Sequence, residues 1–333
     1  MRPMGDGWEW HDDWARLDEV PGADGAFAHH GLVVTAAGSV IGFHARQLVT
    51  FGPDGRVVAR SDPGLFEGHQ LTLVVDDGLE RIWIADPGIC LRAQPDGNVG
   101  HGLQLVGGPG RAVLASLTGE ILRELPGPGH GGLHLPTSVA VDETRFGGSG
   151  DIWVADGYGS SLVHRYAADG SLIATLDGEE GAGRFNCPHA VFIDRRRVAP
   201  ELYVADRGNS RVQVFDLDGR FVRSFGDGML TSPSSFATYD DRMFIAELRA
   251  RVAVLDSEDA LIEYVGEHDG VADEPGWPNA FDQDGHAVRT PRLQPGRFNS
   301  PHAVAAGPDG SLYVAEWLLG GRYTKLTPKG TLS

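Results

Sequence analysis

The chain has 333 residues, 28 Lys and Arg against 46 Asp and Glu for a formal net charge of −18, and 41% hydrophobic residues with 47 Gly and 20 Pro. The acidic balance, without a basic run, argues against a surface that tracks nucleic-acid phosphates, and the Gly and Pro content against a helical enzyme. Cys90 and Cys187 are too few for a disulfide framework or a cysteine-rich zinc motif, although one bridge between them is possible.

In chain order, "MRPMGDGWEWHDDWARLDEV" lacks an apolar run followed by small residues, and no later stretch has the length of a bilayer span. The expectation is a soluble, cytoplasmic protein without a secretory leader and without a membrane partner. From residue 29 onward one phrase recurs: an apolar strand, a turn, then a second alternating strand ending in Ala-Asp or Ala-Glu. A loose copy starts at His29, and clearer copies follow from Gly68, Leu135, Cys187, Ser232 and Ser300. Third and fourth strands are expected around "DG" pairs, a strong hairpin signal. Four antiparallel strands repeated at roughly 40 residues form a propeller blade, because one twisted sheet can bury its faces only against neighbouring blades. The expected fold is therefore all-β, a six-bladed β-propeller of residues 29–333. The last copy ends after its third strand, so residues 1–28, around Trp8 to Leu17, are expected to supply the strand that closes the ring.

The first strand of a blade lines the central channel, and its leading position reads His30, His69, Thr137, His189, Ser234 and His302 through the six copies. Copies two, four and six each supply a histidine, a third of a turn apart. Three neutral nitrogens converging on an axis suit a catalytic zinc with a position open to water or substrate. The plainer reading is a set of polar residues in a wet channel. His30 shares the frame and is a candidate fourth ligand or supporting donor. His44, His101, His130, His134, His164 and His268 fall outside it and are read as structural, with His134 kept in reserve because it lies three residues before Thr137. Cys187 is read as a small buried hydrophobe.

The blades resemble NHL repeats. More specifically, "GHQLTLVVD", "DIWVADGYGSS", "CPHAVFID", "LYVADRGNSRVQVF" and "SPHAVAAGPDGSLYVAE" together resemble the lyase core of the peptidylglycine α-amidating enzymes, peptidyl-α-hydroxyglycine α-amidating lyase, over about Gly31 to Lys325. The resemblance implies zinc held by His69, His189 and His302, Tyr158 of "DGY" as the base, and Arg207 of "ADR" as a catalytic arginine. It also implies a second arginine near "GFHARQ", where Arg46 is displaced by one residue. A structural calcium held by an Asp directly after the third histidine is doubtful, because this chain has Ala303 there.

The implied reaction cleaves a hydroxylated amide, small or peptide-like, R–CO–NH–CH(OH)–R′, to an amide and an aldehyde such as glyoxylate. An upstream oxygenase would supply that substrate. A nearby cation is expected to lower the pKa of Tyr158, with Arg207 or Arg46 serving, and one arginine is a candidate clamp for a substrate carboxylate. The alternatives are a non-catalytic NHL propeller that binds a protein or peptide, and another propeller enzyme of the lactonase or streptogramin-lyase type. The histidine ring counts against a lactonase, whose hard cation prefers oxygen ligands.

Overall fold

The computed structural model describes residues 7–129 and 133–330, and among these the six copies form six four-stranded antiparallel sheets. His130 lies outside the described residues. Blade one comprises Leu32–Val34, Val40–His44, Gln47–Phe51 and Val57–Ser61; blade three comprises Ser138–Val141, Ile152–Asp156, Leu162–Tyr166 and Leu172–Leu176. Blades four and five begin at Pro188–Asp194 and Pro233–Tyr239. The all-β, six-bladed expectation is thus met.

Two blades depart from the simple pattern. Blade two takes its inner strands from Gln70–Asp76 and Leu79–Asp86, but its outer pair is Arg111–Ser116 and Ile121–Glu124. Between them stands an extra hairpin, Ile89–Ala93 with Leu103–Gly107. Blade six has three strands from the C-terminal part, Pro301–Ala306, Leu312–Glu316 and Arg322–Pro328; its outer strand is Trp8–His11, paired antiparallel with the last of these. Both ends of the chain therefore meet in one sheet.

Alternation along each strand places one apolar row on each face, and each row packs against the adjacent blade. One cluster joins blades five and six through Trp8, Phe244, Val254, Phe298 and Val314, all buried. The junction of blades six and one is filled by Trp14, Phe51, Tyr313 and Tyr323. The recurring alanines of the second strands, Ala85, Ala155, Ala205, Ala246 and Ala315, are fully buried, beside the leading position of each first strand.

The acid that ends the second strand in blades two to six explains itself in the same geometry. Asp86 accepts the N–H groups of Phe66 (2.9 Å) and Glu67 (3.1 Å), Asp156 that of Leu135 (2.7 Å), and Asp206 that of Asn186 (2.8 Å). Glu247 accepts Ser232 N–H (3.1 Å), and Glu316 that of Ser300 (3.0 Å). Each buried carboxylate thereby satisfies backbone donors in the loop just before the channel-lining position. The repeat thus builds a rigid seat for whatever side chain stands there. Among the described residues no helix is long and apolar enough to cross a membrane.

Candidate metal centre

The six leading positions alternate in role around the channel. His69 Nδ1 bonds the carbonyl of Thr137 (2.6 Å), His189 Nδ1 that of Ser234 (2.7 Å), and His302 Nδ1 that of His30 (3.2 Å). Even-numbered blades supply an imidazole, and odd-numbered blades supply the carbonyl that orients it. A carbonyl only accepts, so each Nδ1 carries the hydrogen and each Nε2 presents a lone pair. The three rings lie with centroids 4.6, 4.7 and 5.0 Å apart. All three are completely buried, and burial holds their pKa values well below the ordinary histidine range, keeping them neutral.

Tyr158 enters the same cluster from the turn after the second strand of blade three. Its hydroxyl lies 3.1 Å from His69 Nε2 and 3.0 Å from His189 Nε2. A third nitrogen belongs to His29, whose Nε2 is 2.9 Å from the same oxygen and whose ring stands 4.7 and 4.5 Å from those of His69 and His302. His29 Nδ1 faces the buried carboxyl of Glu67 at 3.0 Å. The frame expectation pointed to His30, but that ring turns away to His44 (Nε2 to Nδ1, 3.2 Å) and to the Tyr323 hydroxyl (3.0 Å). Its backbone carbonyl, rather than its ring, serves the cluster. The signals available in the sequence were the His29-His30 doublet in the loosest copy and Glu67, two residues before His69.

Arg207 donates to the Tyr158 hydroxyl (Nη1, 3.4 Å) and to Cys187 Sγ (Nη2, 3.2 Å). Arg46 does not reach this group. Its residue has φ +64°, its Nε donates to the Leu65 carbonyl (3.3 Å), and its guanidinium lies 4.9 Å from the Phe66 ring centroid. It lines a surface groove of about 810 Å³ with Arg60 and Arg92. Burial raises the Tyr158 pKa above its ordinary value, and the opposing charge of Arg207 does not overcome it. The expected lowering by an arginine alone is therefore not met. Cys90 and Cys187 are both free thiols, and Cys187 is only partly buried.

The donor set tests its fitness for a metal. The Tyr158 hydrogen can serve only one of the two lone pairs that His69 Nε2 and His189 Nε2 present to its oxygen; the other faces an oxygen lone pair at hydrogen-bond distance. His302 Nε2 is buried with no hydrogen-bond partner. A cation removes this conflict, since every converging atom is then a ligand or a neighbour of one. His29, His69, His189 and His302 form a cluster able to hold a metal ion. Calcium does not fit by way of residue 303, because Ala303 brings no side-chain oxygen. Nearby, Gln70 Nε2 donates to the Ser234 carbonyl (3.4 Å).

No protein-family model matches the chain. NHL repeat-containing protein 3 of Homo sapiens is 33% identical over 150 residues, 42% of this chain and 36% of that protein. A probable peptidyl-alpha-hydroxyglycine alpha-amidating lyase of Caenorhabditis elegans is 28% identical over 268 residues, 78% of this chain and 64% of that protein. The chain thus spans between a third and two thirds of the length of these relatives. Among solved structures, a streptogramin B lyase matches over 97% of this chain and 98% of its own, with 14% identity and a TM-score of 0.55. That last likeness shows the shared propeller fold.

Proposed function

We propose that this protein is a zinc-dependent carbon–nitrogen lyase that splits an N-(α-hydroxyalkyl) amide into an amide and an aldehyde. The observation that carries the reading is the convergence on the Tyr158 hydroxyl of His29 Nε2 and the carbonyl-oriented His69 and His189 Nε2, with the carbonyl-oriented ring of His302 packed beside them and its Nε2 unpartnered. His69, His189 and His302 would hold the metal, with His29 as a further nitrogen beside it. Zinc, when bound, supplies positive charge that makes a neighbouring hydroxyl more acidic.

The chain's own residues supply the proton transfers. Tyr158 acts as the phenolate, its own proton released to solvent where the charge of a bound metal adds to that of Arg207; its oxygen takes the substrate's hydroxyl proton, the C–O bond becomes a carbonyl, and the C–N bond breaks. The nitrogen leaves as the amide after receiving that proton, so atoms and charge balance. Arg207 stabilises the phenolate by its contact with the Tyr158 oxygen and cannot lose its own proton under these conditions. Glu67 orients His29. His69, His189, His302 and Glu67 are buried and keep bulk water from the ligand side of the site, while Tyr158, His29 and Arg207 are only partly buried and leave its other side open to substrate. Arg46, at the groove, is suited to a substrate carboxylate rather than to the proton transfer. A cytoplasmic setting and an upstream oxygenase that hydroxylates the substrate belong to the same proposal.

A second reading is favoured by the fold comparison, which covers nearly the whole chain, more than the sequence match to the nematode lyase does. It makes the protein a lyase propeller of the streptogramin-lyase type with the same histidines at its centre. On the extent of the match alone this alternative is the better supported. A third, a non-catalytic propeller binding a protein or peptide, would leave the converging lone pairs without a purpose. Zinc-loaded protein should be assayed against α-hydroxyglycine amides, simpler N-hydroxyalkyl amides and a streptogramin B, each beside an enzyme-free control at matched pH. Aldehyde release above background from the hydroxy amides alone supports the first reading. Turnover of the streptogramin alone selects the second, and none of either selects the third.

A further inference from the structure

A second group of potential ligands lies outside the channel. In blades two, four, five and six the residue facing the terminal acid of the second strand, on the third strand, is an arginine: Arg111 faces Asp86, Arg211 faces Asp206, Arg251 faces Glu247 and Arg322 faces Glu316. Arg211 Nε donates to Asp206 at 2.7 Å and Arg251 Nε to Glu247 at 2.5 Å; Arg322 Nε also donates to Glu316. In blade three the facing residue is Leu162. Asp156 is nevertheless fully buried, like its counterparts. A buried carboxylate that loses its charged partner costs on the order of 3–5 kcal/mol, and here, among the described residues, the donors within hydrogen-bond distance of Asp156 are neutral: Leu135 N–H and the Ser160 N–H and Oγ–H.

Two histidines take the place of the arginine. His134 approaches from the loop before the first strand, with Nδ1 3.7 Å from Asp156 Oδ2; His164, two residues after Leu162, places Nε2 4.0 Å from the same oxygen. The three atoms all lie within 4.8 Å of one another. Both separations exceed a hydrogen bond. They fall a little above the roughly 3.3–3.6 Å between neighbouring ligands that zinc bonds of about 2.0–2.2 Å impose in a tetrahedron. His164 Nδ1 is engaged by Thr175 Oγ1 at 2.9 Å, which leaves Nε2 directed at Asp156. His134 Nδ1 is buried with no hydrogen-bond partner. Blade four shows the arrangement this replaces, for there Gln213, two residues after Arg211, also bonds Asp206 (Nε2, 3.3 Å).

We propose that His134, Asp156 and His164 form a second divalent-metal site, of the zinc type, in which the ion supplies the charge that a directly paired arginine supplies in blades four, five and six. The site is structural in character: it closes the third blade beneath the turn that carries Tyr158, since Asp156 also accepts Ser160 N–H (3.1 Å) and Ser160 Oγ–H (2.5 Å) on the far side of that residue. The proposal does not depend on the lyase reading, because none of its ligands belongs to the channel cluster.

The test is metal content. Wild-type protein, stripped with chelator, equilibrated with zinc and freed of excess by dialysis, should retain two equivalents. Leu162→Arg combined with His164→Gln rebuilds the blade-four arrangement, and should retain one equivalent with an unchanged circular dichroism spectrum. His134→Ala should likewise lose one equivalent, which keeps the test open should the double variant fail to fold. His69→Ala should lose the other equivalent and keep this one. Retention of a single equivalent by the wild type that His134→Ala keeps and His69→Ala loses, or of two equivalents by both His134→Ala and the double variant, overturns the proposal.

Discussion

Replacing Tyr158 by Phe should lower lyase turnover by about a hundredfold or more, the usual scale for loss of an acid–base group, while leaving the metal content unchanged. The substitution keeps the ring, and with it the stacking of the guanidinium of Arg207, 5.4 Å from the ring centroid. It removes one oxygen, the atom on which three imidazole nitrogens and an arginine converge. Because His69, His189 and His302 are each oriented through Nδ1 by a backbone carbonyl, their alignment does not depend on the phenol. Metal analysis beside the rate measurement separates the two effects. Turnover within a few-fold of wild type would remove Tyr158 from the proton transfer. Arg207→Lys should be impaired as well, since an ammonium cannot keep the contacts to Tyr158 and Cys187 at once.

A chain shortened to start at Arg16 should lose its cooperative unfolding transition altogether. The strand Trp8–His11 is the outer strand of blade six, and without it Arg322–Pro328 becomes an open edge. Trp8 and Trp14 are buried; Trp8 packs on Phe244 (6.1 Å between centroids), and Trp14 on Tyr313 (4.9 Å) and Phe51 (6.0 Å). Loss of a buried Trp costs about 3–5 kcal/mol, so two of them with a strand rival the roughly 5–15 kcal/mol that holds a typical domain together. Blades depend on their neighbours, so the damage should spread around the ring. Thermal unfolding followed by far-ultraviolet circular dichroism measures this, and a sharp transition near the wild-type temperature would refute it.

The parts legible in the sequence were those with a period. Strand alternation repeats in all six copies, the Ala-Asp or Ala-Glu ending in five of them and the "DG" turn in most, and what repeats can be aligned without a structure. His69, His189 and His302 were visible for the same reason, as one position in alternating copies. What escaped lies where the repeat is broken. His29 is in the lead-in to the loosest copy, one residue ahead of the frame, and only the folded chain shows that odd-numbered blades contribute a carbonyl and leave the His30 ring free to meet His44 and Tyr323. Arg46 sits one residue off its expected register in a left-handed turn, which sends its side chain to Leu65 and Phe66. The hairpin inserted in blade two, Ile89–Ala93 with Leu103–Gly107, is flanked by the same Gly and Pro signals as the repeats, so its place outside the ring is a tertiary outcome. Leu162, standing where four other blades have arginine, carries meaning only once the strand register is known.

The most direct measurement of the central claim is aldehyde release by metal-stripped protein as zinc is returned, run beside a His69→Ala/His189→Ala/His302→Ala variant and an enzyme-free control. These hydroxy amides decompose spontaneously, so only the excess over the control counts. The account predicts an excess rate that appears with zinc in the wild type, saturates near stoichiometric loading of the channel cluster, and is absent from the variant at every zinc level. A wild-type rate equal to the control throughout, or a variant that responds to zinc as the wild type does, would contradict it.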